Sequence, residues 1–229
     1  MSAMDIPVIT IDGPGGSGKG TLSRLLAKKL GWHWLDSGAI YRVTALAALK
    51  NGIDLDDVPA LVAQANRLDV QFGESAQGTA SVLLDGEDVT AQLGTEQSGE
   101  AASRIAAYPE VRQALLQRQQ AFRQQPGLVA DGRDMGTVVF PDARLKVFLT
   151  ASIEERAQRR YKQLKDQGFD ISIDALFREI SARDDRDMNR PVSPLRPADD
   201  AVVIDCSAMS IEEMLESTLN LAREKGLVA

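Results

Sequence analysis

Nucleophilic and redox side chains are scarce in this chain: its 229 residues include one cysteine, Cys206, and one histidine, His33. A lone cysteine excludes an internal disulfide framework. Its place at the end of the apolar run Ala201 to Cys206 fits buried packing in a strand better than thiol chemistry. His33 stands between Trp32 and Trp34 at the end of a helical pattern, where a structural role is the better reading. Positive charge is in deficit, with 26 Lys and Arg against 33 Asp and Glu for a net charge of −7. A surface for nucleic-acid polymers is therefore not expected. No apolar run is long enough for a bilayer and there is no basic, apolar leader, so a cytoplasmic protein without a membrane partner is expected. Internal repeats and low-complexity tracts are missing too, and the length suits one α/β domain with embellishments.

What is present is a phosphate-binding loop. Gly13-Pro14-Gly15-Gly16-Ser17-Gly18-Lys19-Gly20-Thr21 lies between the apolar run Val8 to Asp12 and a helix marked by Leu22, Leu25, Leu26 and Leu30. Glycines let successive N–H groups point at phosphate oxygens, the helix N-terminus adds partial positive charge, and Lys19 reaches the outer phosphates. An ATP-binding role follows for all nine residues. The strict motif has Ser or Thr directly after the lysine as a magnesium ligand. Here Gly20 intervenes and the hydroxyl arrives at Thr21, a Gly-Lys-Gly-Thr pattern that resembles the nucleoside monophosphate kinases, which hold Mg2+ largely through phosphates and water.

Strand-like runs at Val8 to Asp12, Trp34 to Asp36, Leu128 to Gly132, Leu145 to Thr150 and Val202 to Cys206 alternate with helical patterns. This predicts an α/β fold with a five-stranded parallel sheet flanked by helices. Helix starts are marked at Ser37, at Pro109, and by the capping boxes Ser152/Glu155 and Ser210/Glu213. Residues 66–96 break the rhythm: Leu68, Val70 and Phe72 alternate, then Val82 and Leu84, an Asp85-Gly86 turn, and Val89. They read as a small antiparallel insertion, either mobile over an acceptor site or merely decorative.

Three further clusters carry charge. Asp36-Ser37-Gly38-Ala39-Ile40-Tyr41-Arg42 closes a strand and opens a helix; Ser37 is a helix cap or a ligand group, and Arg42 a surface charge or a phosphate ligand. Asp131-Gly132-Arg133-Asp134-Met135-Gly136 follows a strand end beside the phosphate loop. There Asp131 is suited to orient a metal through water, Arg133 to bridge phosphates and Asp134 to accept hydrogen bonds from a base; local salt bridges in a charged turn are the other reading. The run Arg183 to Arg190 ends a helix before Pro191. The apolar stripe Ile173, Leu176, Phe177 and Ile180 continues at helical spacing into Arg183, Asp187 and Arg190, which turns these charges inward, where a bound phosphate and ribose would offset their desolvation. After Ser152, Arg156, Arg159, Arg160, Lys162 and Lys165 form either a solvated face or a basic lid over a triphosphate.

Together the phosphate loop, Asp-Ser-Gly-Ala-Ile-Tyr-Arg, Ala-Asp-Gly-Arg-Asp-Met-Gly-Thr-Val-Val-Phe-Pro and Arg-Asp-Asp-Arg-Asp-Met-Asn-Arg resemble the bacterial cytidylate kinase family over nearly the whole chain. The resemblance implies a P-loop NTPase three-layer fold over 1–229, an inserted acceptor-binding subdomain at 39–103 and a lid at 153–172. It implies ATP and CMP or dCMP as substrates, ADP and CDP or dCDP as products, Mg2+ bound with ATP, and a monomer. Carried over by motif, Ser37, Arg42, Ser103, Arg112, Arg133, Asp134, Arg183, Asp187 and Arg190 would bind the acceptor. Ser103 and Arg112 rest on the weaker pattern Ala-Ala-Ser-Arg-Ile-Ala-Ala-Tyr-Pro-Glu-Val-Arg. Lys19, Arg133, Arg190 and Asp131 would serve catalysis, Arg156 and Arg160 would reach ATP, and the metal would have no direct protein ligand, Thr21 and Asp131 acting through water. The rivals are another small-molecule P-loop kinase, which needs no base-reading acid, and a GTPase-like switch, against which the missing Asn-Lys-x-Asp motif argues.

Overall fold

The computed structural model describes residues 6–74, 80–166, 168 and 170–228. Residues 75–79 of the predicted insertion and 167 and 169 of the predicted lid lie outside that set. The chain divides into two compact units, one made of 1–36 and 120–229, the other of 37–119. The second contains the whole 39–103 segment and extends past it.

The first unit holds a sheet of five parallel strands: β1 (Val8–Asp12), β2 (His33–Asp36), β6 (Leu128–Gly132), β7 (Leu145–Thr150) and β8 (Val202–Asp205), in the order β2-β6-β1-β7-β8. All five lie where the apolar runs predict. β1 is central and wholly buried, which is why it reads as an unbroken apolar run rather than an alternating one. Side chains alternate between faces. Ile9 and Ile11, with Val129, Leu145, Val147 and Leu149, meet Leu22 and Leu26 of α1 (Lys19–Leu30) and Met214, Leu219 and Ala222 of α9 (Ile211–Glu224). Cys206, fully buried, joins this core. The same parity puts Thr10 and Asp12 on the other face.

Capping chemistry sets several helix ends. Ser210 and Glu213 form the reciprocal box at the start of α9, and the Ser152 hydroxyl accepts from the Glu155 N–H at 3.2 Å where α7 (Ile153–Asp166) begins. α8 (Ile173–Asn189) stops at Arg190, before Pro191. Its inward stripe differs in one place from expectation: Leu176 is fully buried, but Phe177 is 38% exposed. The inner face instead passes through Asp184 and Asp187, both buried.

The second unit carries α2 (Ser37–Lys50), α3 (Val58–Asn66), the antiparallel strands β3 (Val70–Glu74), β4 (Ala80–Leu84) and β5 (Glu87–Asp88), then α4 (Thr90–Leu93), α5 (Glu96–Ile105) and α6 (Pro109–Gln120), which ends at the unit boundary. Asp85 and Gly86, at φ 51° and 81°, make the two-residue hairpin turn between β4 and β5. Leu68, Val70, Phe72, Val82, Leu84 and Val89, the alternating residues of the sequence, converge with Val43, Ala47 and Leu93 on one small core. Among the described residues no helix is long and apolar enough to cross a membrane.

Candidate active site

The donor loop connects β1 to α1. Gly18, the N-cap of α1, has φ 87° and makes no side-chain cap, so the first amide donors of the helix stay available to an anion. No acidic residue stands in that first turn. The Lys19 ammonium folds back to donate to the Pro14 carbonyl at 3.1 Å, beside the Ser17 hydroxyl, which donates to the same oxygen at 3.0 Å. Burial, reinforced by repulsion from Arg133, holds Lys19 well below the usual lysine range. A bound triphosphate would restore its charge. Thr21 is exposed.

Strand parity delivers the carboxylates. Asp36 and Asp131 are register partners at the C-terminal ends of β2 and β6, on the face that carries α1. Asp131 is buried and accepts from the Trp34 indole N–H at 2.9 Å. Burial first, then the neighbouring Asp36 charge, push the Asp131 carboxyl above the usual range. A Cβ at Gly20 would sit 4.0 Å from Asp131 Oδ1, so this oxygen borders the start of α1. The two carboxylates are hard oxygen groups that suit a hydrated Mg2+. The Asp36 and Trp34 contributions escaped the sequence reading, although alternation along a four-residue strand puts both on the Asp131 side.

Arginines crowd the other end of the loop. A Cβ on Gly15 would lie 3.5 Å from Arg133 Nη2 and 3.8 Å from Arg183 Nη1. The Gly15 carbonyl accepts from Arg156 Nη1 at 3.0 Å. Three of the arginines here lie against an acid. Arg133 Nε donates to Asp187 Oδ2 at 2.8 Å, Arg156 donates to Asp184, and Arg190 Nη2 lies 3.9 Å from Asp134 Oδ1. Burial pushes the Asp187 carboxyl up, but Arg133 and Arg183 outweigh it and hold the group below the usual carboxylate range. Arg133, Asp134, Asp187 and Arg190 are all buried or nearly so. The predicted set Arg133, Asp134, Arg183, Asp187 and Arg190 is therefore brought together with Lys19 around the donor loop.

The basic row of α7 is split. Arg156 is buried and also donates to the Ala151 carbonyl at 3.1 Å, Arg159 donates to the Cys206 and Ser207 carbonyls, and Arg160 reaches Gln163 Oε1 at 2.9 Å. Arg156 and Arg159 are thus not a solvated face. Asp184, which anchors Arg156, was missed by the sequence reading; its signal is the three-residue spacing to Asp187.

The remaining predicted residues belong to the second unit. The Ser37 hydroxyl donates to Gln119 Oε1 at 2.7 Å, and α2 begins at Ser37 itself. Arg42 Nη1 donates to the Leu93 and Thr95 carbonyls. Ser103 is buried in α5, and the buried Arg112 guanidinium stacks 5.6 Å from the centre of the Tyr41 ring.

A phosphate loop after the central strand of a parallel sheet, ringed by arginines, defines a P-loop kinase. Residues 9–224 match the family model described as cytidylate kinase, and the chain belongs to that family. It is 62% identical to the cytidylate kinase of Aeromonas hydrophila, over 96% of this chain and 95% of that one. It is 60% identical to that of Vibrio vulnificus, over 96% of each, and 58% identical to that of Klebsiella pneumoniae, over 98% and 99%.

Proposed function

We propose that the chain transfers the γ-phosphoryl group of ATP to CMP or dCMP, giving ADP and CDP or dCDP. Membership of the cytidylate kinase family over residues 9–224 carries this reading. The meeting of Arg133, Arg156 and Arg183 at Gly15 supports it physically, because two anionic substrates must be brought together against their mutual repulsion. An acceptor phosphate oxygen attacks the γ-phosphorus in line while the bond to the bridging oxygen breaks and its electrons leave with ADP. No protein nucleophile is required, so the protein supplies alignment, charge and exclusion of water.

In this reading the amides of 13–21 and Lys19 hold the triphosphate. Arg133 and Arg190 neutralise charge on the transferring group. Asp134 reads the cytosine amino group, Arg183 and Asp187 take the ribose, and Ser37, Arg42, Ser103 and Arg112 complete the acceptor contacts. Mg2+ bound with ATP would be oriented through water by Thr21 and Asp131, and when bound it neutralises phosphate charge. The segment 39–103 is the acceptor subdomain and 153–172 the lid, with Arg156 and Arg160 on the ATP side. The test is ADP release from ATP with CMP, dCMP, UMP, AMP, GMP and shikimate offered in turn. CMP and dCMP should be turned over most efficiently; a preference for shikimate or a purine nucleotide would overturn the assignment.

A further inference from the structure

The stretch Met135-Gly136-Thr137-Val138-Val139-Phe140 after Asp134 has no role in the chemistry above. It forms a single π turn, Met135–Val139, hung on the C-terminal end of β1. The hanger is Asp12. Its Oδ1 accepts the Met135 N–H and its Oδ2 the Gly136 N–H, both at 2.8 Å. Asp134 occupies the N-cap position of this turn but makes no side-chain cap. Instead its carbonyl receives the Val138 and Val139 N–H groups at 2.9 and 3.2 Å. A carboxylate from the neighbouring strand thus does the capping, and the Asp134 carboxylate is left to face Arg190.

Two observations argue that this arrangement is built for position. The first is its cost. Asp12 is 5% exposed at the end of a strand that holds no other ionisable group, and burial pushes its carboxyl up to about 7 against the pull of the Gly136 and Met135 amides. A buried acid that breaks its strand's pattern at a site edge is where function is expected to override local preference. The second is the fit of the turn onto the sheet. A Cβ at Gly136 would come within 2.9 Å of Thr10 Oγ1 and 3.1 Å of Lys146 Cδ, so only glycine lets the turn lie close enough for both amides to reach Asp12.

We infer that Asp12 is the positioning residue of the acceptor-reading pair Arg133 and Asp134: from the residue just before the donor loop, it clamps the turn that follows them and so sets where cytosine and the acceptor phosphate are met. This inference rests on the cytidylate kinase reading. Asp12 touches neither substrate in this account, and its effect passes through the two amides.

Asp12→Asn keeps the shape but turns an amide NH2 toward one of the two donors, so one anchor is lost. We expect the KM and calorimetric Kd for CMP to rise about tenfold or more, the scale of a lost charge-assisted hydrogen bond. The KM and Kd for ATP should stay within about twofold, and the CMP-over-UMP efficiency ratio should fall. Gly136→Ala, which lifts the same turn without touching the carboxylate, should reproduce this pattern. A rise in both substrates' Kd values together, or an unchanged Kd for CMP in folded protein, overturns the inference. So does failure of both variants to fold, which would make Asp12 an element of the fold alone. Failure of the parent reading is separate, because it appears as a wild-type protein that does not turn over CMP.

Discussion

In the proposed reading the donor loop and the arginine cluster beside it would bind phosphate by opposite means. The loop uses nine consecutive residues and mostly backbone donors; the polarity is built into the amides, and no buried counter-charge is needed. The cluster uses side chains from β6's end, α7 and α8, and three of its arginines lie against an acid: Arg133 with Asp187, Arg156 with Asp184, Arg190 with Asp134. A buried guanidinium without a partner would be expensive, and these carboxylates offset that cost. The difference teaches that, in the proposed reading, the acids of this cluster would have two duties. They hold the arginines in place, and some would also read the substrate.

The comparison can be broken most forcefully at Asp184, whose duty is only the first. Asp184→Ala strands the buried Arg156 guanidinium, which keeps the Gly15 and Ala151 carbonyls. We expect about 3 kcal/mol of lost stability in urea unfolding, the lower end for a broken buried pair because those two acceptors remain. An unchanged midpoint would show that the pair contributes nothing to holding the loop. Lys19→Ala makes the contrast on the donor side. It should fold with near wild-type stability, since Lys19 gives up a bond to the Pro14 carbonyl and its attraction to Asp131 is offset by repulsion from Arg133 and Arg183. Turnover should fall by a factor of about 100 or more, as for loss of one transition-state charge donor. Normal turnover in a folded protein would sink the kinase mechanism.

How much of this was legible in the sequence follows from the same contrast. The donor loop is contiguous and flanked by unbroken apolar runs, so its nine residues, all five parallel strands and the antiparallel insertion could be read directly. The inward turn of Asp187 and Arg190 could be extrapolated from Leu176 at helical spacing. Phe177 could not be placed correctly, because an apolar residue at the rim of a stripe satisfies the period whether or not anything covers it. The burial of Arg156 and the tethering of Arg159 escaped for the opposite reason. Hydropathy periodicity counts both side chains as solvent-facing, and only tertiary partners 28 and 47 positions away reveal that they are buried or spoken for. Asp12 was visible only as the end of a strand, since nothing local announces amide donors 123 residues on.

Asp187 tests whether one acid performs both duties. As a ribose ligand it should matter more for CMP than for dCMP, which lacks the 2′-hydroxyl: Asp187→Ala should raise the KM for CMP by about 1 to 3 kcal/mol and that for dCMP by less. Equal harm to both would show that Asp187 acts only by holding Arg133, to which it is hydrogen-bonded at 2.8 Å.

The central claim, that this cluster chooses cytosine, turns on Asp134. A carboxylate attracts the exocyclic amino group of cytosine and repels the carbonyl that uracil presents there. Asp134→Asn keeps the size, removes the charge and offers a donor to uracil. Steady-state kinetics with CMP and UMP as alternative acceptors measure the outcome directly. The account predicts that the ratio of kcat/KM values for CMP over UMP falls at least about tenfold, or roughly 1.4 kcal/mol. A variant that lowers both efficiencies by the same factor, leaving the ratio unchanged, would contradict it and give the choice of base to another group.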